Sequence, residues 1–163
     1  MIRPAVPDDV PEILAMIREL AEYEKEPESA QATAQDLHAA LFGPGPAVFS
    51  HVAEAPGPDG TPVAVGFSVW FLTYSTWTGR HGIHLEDLYV RPHARGRGHG
   101  VELLRALARI CVERGFTRLE WSVLDWNEPA VRFYEALGSQ PLSEWTVRRL
   151  DGAELAALGS QDP

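Results

Sequence analysis

Most of the residues that could do chemistry lie in one stretch, Leu85-Glu86-Asp87-Leu88-Tyr89-Val90-Arg91-Pro92-His93-Ala94-Arg95-Gly96-Arg97-Gly98-His99-Gly100. It reads as a strand running into an arginine- and glycine-rich loop that opens a helix. Glycine lets backbone approach a ligand closely, and the first N–H groups of a helix have no partner within it, so such a loop suits an anion. Arg91 to Gly100 holds three arginines and no acid, in a chain of formal net charge −9. That contrast points to a bound phosphate. Two common phosphate motifs are excluded. No G-x-x-x-x-G-K-[ST] occurs, and glycines at 96, 98 and 100 do not match the G-x-G-x-x-G dinucleotide spacing.

Just upstream, Glu86 and Asp87 place adjacent carboxylates in an otherwise apolar strand, where burial is costly unless charge is paired. Alternation sends strand neighbours to opposite faces, so the two are not expected to act as a dyad. Asp87 is expected to be a structural partner for a nearby backbone group or arginine. His81-x-x-His84 followed by Glu86 lacks the helical frame or cysteine pair of a zinc site, and no metal is expected. Cys111, on an apolar helix face, reads as a small core residue. Tyr134 reads equally as a packed aromatic or as a proton donor.

Positioning these groups requires a set of elements that the pattern supplies. Ile2 to Val6 predicts a short strand, and Asp8 or Asp9 can cap a helix with apolar positions Val10, Ile13, Leu14, Ile17, Leu20 and Ala21. A shorter helix is expected from Gln31 to Leu41. Val48 to Ala53 and Val63 to Tyr74 form a hairpin around Pro56-Gly57-Pro58-Asp59-Gly60, and a third strand covers Ile83 to Val90. A helix from Gly98 to Arg114, a strand from Leu119 to Leu124, a helix from Glu128 to Leu137 and a last strand from Glu144 to Leu150 complete the order. The expected fold class is α/β (α+β), one mixed and mostly antiparallel sheet with helices on both faces, in a single domain spanning 1–163.

Composition narrows the function. The chain has 163 residues, 45% hydrophobic and 23% charged, with 23 acids against 14 bases, and a pI of about 5.1. An acidic chain of this kind argues against a dedicated nucleic-acid or membrane binder. No apolar run approaches a membrane span, residues 1–30 carry charge throughout, and a single cysteine cannot staple the fold, so a cytoplasmic protein is expected. Only Lys25 among the bases is lysine.

Arg95-x-x-Gly98-x-Gly100, after a strand ending Asp87-Leu88-Tyr89-Val90, resembles the acyl-CoA loop of the GNAT superfamily of N-acetyltransferases. Three further blocks make the chain similar to the diamine (spermidine/spermine) and thialysine N-acetyltransferases. These are Glu19-Leu20-Ala21-Glu22-Tyr23-Glu24-Lys25, Leu85 to Val90, and Trp126-Asn127-Glu128-Pro129-Ala130-Val131-Arg132-Phe133-Tyr134. The likeness runs from Ile2 to about Leu150.

The resemblance implies acetyl-CoA as cosubstrate, its pyrophosphate held by Arg95, Gly96, Arg97, Gly98, His99, Gly100 and Val101. It implies a sheet that splays beside the fourth strand, with the pantetheine arm pairing with Leu88, Tyr89 and Val90. The N–H groups of Leu88 and Tyr89 would then stabilise an oxyanion. Asn127, Glu128, Pro129 and Ala130 fall where the family makes further cofactor contacts. Tyr134 takes the place of the family's general acid, protonating a departing thiolate. Glu86 matches the carboxylate that helps deprotonate the amine, a step required because an ammonium cannot attack. Tyr23 and Glu24 match residues lining the amine pocket, in a segment, Asp8 to Asp36, holding nine acids. Glu144 matches loosely a further substrate-contacting acid, while Arg148 and Arg149 depart from the polyamine pattern and could pair with a substrate carboxylate. Trp70, Phe71, Tyr74 and Trp77 are candidates to line the acceptor pocket. The resemblance also implies a homodimer. The expected activity is direct transfer to a small amine, a diamine, polyamine or thialysine-like amino acid. A peptide N-acetyltransferase and a non-catalytic acyl-CoA module are the alternatives.

Overall fold

Apolar residues recurring every three or four positions form helix α1 (Val10–Tyr23), which buries Val10, Ile13, Leu14 and Met16 along one stripe. In the computed structural model, which describes residues 1–160, it follows strand β1 (Ile2–Pro4) and precedes helix α2 (Ala34–Phe42). The expected cap takes a different form. Asp9 occupies the N-cap position of α1, but its side chain makes no capping bond. Its carboxylate accepts instead from Val6 N–H at 2.7 Å and from both terminal nitrogens of Arg3, at 2.7 and 2.9 Å. A guanidinium fork satisfies a carboxylate better than one backbone donor does, and it holds Asp9 below the usual aspartate range. Arg3 Nε also donates to Glu54 at 2.8 Å. Thr33 caps α2 in a reciprocal box with Asp36.

The sheet continues with β2 (Val48–Pro56), β3 (Pro62–Ser75) and β4 (Arg80–Val90), then crosses over through α3 (His99–Arg114) to β5 (Leu119–Trp121). Its order is β1-β2-β3-β4-β5, antiparallel throughout except for the parallel β4–β5 pair. That parallel pair is what demands a helical crossover. Ile13, Met16 and Phe67, all fully buried, join α1 and α2 to one face of the sheet, and Ala53, Val65, Ala94 and Leu103 form a cluster on the other. Burying each of the larger side chains contributes about 1.5–3 kcal/mol.

Two irregularities shape the centre. Trp70 opposes Leu85 and Val69 opposes Asp87, so Glu86 is an extra residue in β4 and the pairing shifts there. On the other side of β4, β5 pairs only with Ile83, His84 and Leu85.

All of this lies in one compact unit, Met1–Ser122; a second begins at Val123. The second unit contains α4 (Glu128–Glu135) and α5 (Gly152–Gly159). The strand expected over Glu144–Leu150 does not form. Trp145 and Val147 in it are 71% and 85% exposed, and a strand needs a neighbour to take its N–H and C=O groups. The leucine- and alanine-rich α5 was not anticipated, and the strand expected to reach Leu124 stops at Trp121.

Candidate active site

Helix α3 starts at His99 from Gly98, and no side chain caps it. Glu102 N–H donates to the Gly98 carbonyl at 3.0 Å, so the N–H groups from Gly96 to Val101 precede the first full helical bond. Gly96 and Gly98 have φ of +75° and +83°, and no atom lies within 4 Å of where a Cβ would sit on either. The loop therefore needs glycine for its shape and leaves room above it for an anion. The three arginines divide their work. Arg91 is fixed by Glu12 at 3.0 Å and Glu19 at 2.9 Å on α1, and it donates to the Ala64 carbonyl. Arg95 Nε donates to the Val90 carbonyl at 2.8 Å, and its guanidinium carbon lies 5.4 Å from the Tyr23 ring centre and 5.5 Å from that of Tyr89. Arg97 alone of the three has no partner among the described residues, so the cationic island is smaller than composition implied. Burial, the N-terminal ammonium and Arg97 together keep His99 below the usual histidine value.

Beyond Leu85, β4 has no β5 residue beside it. Arg91 N–H donates to the Val65 carbonyl at 2.9 Å, and Tyr89 opposes Phe67. Alternation of ladder bonds then turns the N–H groups of Leu88 and Val90 toward the open side and that of Tyr89 toward β3. The β4–β5 pairing thus ends at Leu85 and leaves the rest of that β4 edge without a neighbouring strand. The expected pair of oxyanion donors is corrected in one member: Tyr89 N–H belongs to the ladder, and the neighbours Leu88 and Val90 present theirs to the gap.

Next to that edge, the end of α1 brings Tyr23, 38% exposed, and Glu24 toward β4. Burial raises Glu24 above the ordinary glutamate value. Asp87 is pushed up to about 6 by burial first, then by the charges of Glu86 and Glu24. The charges of Glu86 and Glu24 thus both act on Asp87. Glu86 is the extra residue of the bulge, and although the two were not expected to act as a dyad, the charge of Glu86 reaches Asp87. Among the described residues the Asp87 carboxylate has neither a backbone hydrogen bond nor an arginine partner, so its expected role as a structural partner for one of these is corrected. The missed signal was the pairing shift, which a single strand's sequence does not reveal. Glu86 Oε2 lies 3.7 Å from His84 Nε2.

In the second unit, Asn127 is buried and caps α4, its side-chain oxygen accepting from Ala130 N–H at 3.4 Å. Pro129 stands in the first turn, where its missing N–H costs nothing. Glu128 pairs with Arg132 at 3.0 Å. Tyr134 follows Phe133 on this helix, their rings edge to face at 5.1 Å. Glu144 lies in exposed irregular chain, without the strand meant to carry it.

The aromatic candidates scatter. Trp70 is buried against Phe49 and donates to His51 Nδ1, Phe71 stacks on His84, and Tyr74 and Trp77 are 56% and 89% exposed. His81 Nδ1 lies 3.0 Å from the Thr73 carbonyl. Among the described residues no three His, Cys, Asp or Glu side chains group as metal ligands. Cys111 is buried beside the Arg118 carbonyl, and burial raises its thiol. No helix of the described residues is long and apolar enough to cross a membrane.

These features can be set beside known proteins. The chain is 40% identical to a thialysine N-epsilon-acetyltransferase of Bos taurus, over 99% of this chain and 98% of the relative. It is 31% identical to an L-ornithine N5-acetyltransferase of Arabidopsis thaliana, covering 96% of this chain and 86% of that protein. An integron cassette protein from the mobile metagenome of V. cholerae superposes with a TM-score of 0.78 at 25% identity, over 99% of this chain and 98% of that one. The acetyltransferase (GNAT) family matches residues 13–138. With its open β4 edge and glycine loop inside that span, the chain belongs to the GNAT family and is an acetyl-CoA-dependent N-acetyltransferase.

Proposed function

We propose that the chain moves an acetyl group from acetyl-CoA to the side-chain amine of a small cationic amino acid of the thialysine, lysine or ornithine kind, by direct attack. Both units work in this reading as one catalytic domain, in a cytoplasmic homodimer. The observation that carries it is the carboxylate set Glu24, Glu86 and Asp87, with Asp87 at about 6. An ammonium docking among them satisfies charges that burial otherwise opposes. Relatives that act on thialysine and ornithine favour an amino acid over a plain diamine.

The residues fit the cosubstrate. Among the described residues the glycine loop offers unpartnered N–H groups and free space, Arg97 an unpaired cation, and the Leu88 and Val90 N–H groups rungs for an amide-bearing arm. Bound acetyl-CoA supplies the electrophilic thioester carbonyl. Around it the chain orients and moves protons. Glu24 and Tyr23 hold the acceptor, and Asp87, mostly ionised at pH 7.5, takes the amine's proton together with Glu86. Tyr134 donates its phenolic proton to the leaving thiolate.

Release of free CoA thiol across a panel of thialysine, lysine, ornithine, putrescine, spermidine and a lysine peptide tests the reading. The expected result is kcat/KM at least tenfold higher for the amino acids than for the diamines. Turnover confined to the peptide would move the assignment to a peptide acetyltransferase, and none with any amine would leave an acyl-CoA-binding module.

A further inference from the structure

At the opposite end of α3 from the glycine loop lies a cavity of about 260 Å³. The α3 residues that line it, Ile110 and Arg114, lie about 16 and 22 Å along the helix from its start at His99, at 1.5 Å per residue. Its walls are largely apolar, from Phe42 at the end of α2, Phe49 and Trp70 on the sheet, and Ile110 on α3. Three polar residues also line it, His51, Arg114 and Ser50.

The polar groups are specific in what they offer. Trp70 Nε1–H can only donate, and it donates to His51 Nδ1 at 3.1 Å. That bond places the proton of the neutral imidazole on Nε2, and burial lowers the His51 pKa, disfavouring the charged ring. The Nε2–H is then a donor with no partner among the described residues. Arg114, in the last turn of α3, likewise has no acidic partner among them, unlike Arg3, Arg91, Arg105, Arg118 and Arg132. Ser50 is 7% exposed and its hydroxyl has no hydrogen-bond partner among the described residues. The cavity therefore joins a flat aromatic lining to an imidazole donor and an unneutralised cation, in a chain of formal net charge −9.

We propose that this cavity is a second binding site, for a small aromatic monocarboxylate whose ring lies against Phe49 and Trp70 and whose carboxylate accepts from His51 Nε2–H and Arg114. The size agrees, since a dry cavity of roughly 150 Å³ holds benzene, and the larger volume admits a short carboxylate-bearing arm. The apolar wall sets the ring, and the two donors select the charged oxygen pair over a neutral group.

The test uses 3-phenylpropionate and its neutral counterpart 3-phenylpropanol, titrated into the whole protein with amide chemical shifts as the readout. Shifts should concentrate at Phe49, Ser50, His51, Ile110 and Arg114. The acid should bind at least tenfold tighter than the alcohol, and saturating CoA should leave its affinity within twofold. Arg114→Gln, at an exposed position, should weaken the acid about tenfold and the alcohol not at all. His51→Phe should do the same where it folds. Equal binding of acid and alcohol, shifts at residues 96–101 with displacement by CoA, or no shift at 10 mM would each overturn the proposal.

Discussion

Asp87→Asn removes a charge that its surroundings oppose while keeping the side chain's shape. Raising the carboxyl from 3.8 to about 6 corresponds to about 3 kcal/mol, at roughly 1.4 kcal/mol per pH unit. The direction follows from linkage. A carboxyl whose pKa is higher in the folded state stabilises the fold fully below pH 3.8, and that contribution is lost as pH rises through about 6. The amide stays neutral and keeps it. Urea unfolding should therefore find the variant close to wild type near pH 4 and up to about 3 kcal/mol more stable at pH 8, less whatever the amide leaves unbonded. Acetyl transfer should fall by about two orders of magnitude in the same protein, since the proton acceptor is gone. A variant less stable than wild type at pH 8, or a gap that does not change with pH, would refute the idea of a desolvated charge at this position. Unchanged turnover would refute its place in the amine pocket.

Tyr134→Phe should lower kcat about 10²-fold while calorimetry finds acetyl-CoA affinity within twofold; an equal loss of affinity would make the ring a packing residue. Gly98→Ala forces a side chain into φ +83° and should cost about 1–2 kcal/mol by thermal melting. It should also raise KM for acetyl-CoA more than KM for the amine, and the reverse order would detach the loop from the cosubstrate. Arg3→Gln leaves Asp9 and Glu54, whose side chains are only 11% and 12% exposed, without their cation and should cost about 2 kcal/mol at pH 7. Because Asp9 is held below 3.8, that difference should shrink in urea melts as pH falls through the acid range; a gap that persists at pH 2.5 would contradict it.

Long periodic segments were legible because local pattern and tertiary burial agree in them. The spacing of Ile13, Leu14 and Ile17 predicts α1, and Gly98 to Arg114 predicts α3 to within a residue. The strand–loop–helix setting of Arg95, Gly96 and Gly98 was visible for the same reason. What escaped depends on partners far away in sequence. The pairing shift at Glu86 arises only when β3 lies alongside β4, so the coupling of Asp87 to Glu86 and Glu24 could not be read from one strand. Asp9 looked like a helix cap because Arg3, its stronger partner, sits on a separate element. Glu144 to Leu150 has strand composition, yet composition supplies no neighbouring ladder. Trp70 was grouped with Phe71, Tyr74 and Trp77 by adjacency, whereas the bond to His51, 19 residues away, fixes its place.

The half-finished rungs of β4 give the protein an internal gauge. In deuterated solvent the amide hydrogens of Leu88 and Val90 should swap quickly, while that of Tyr89, lying between them, should hold on for as long as β3 stays in place. A fast-slow-fast triplet that turns uniformly slow when an extended chain slips into the gap would report occupancy one amide at a time, without any turnover being measured.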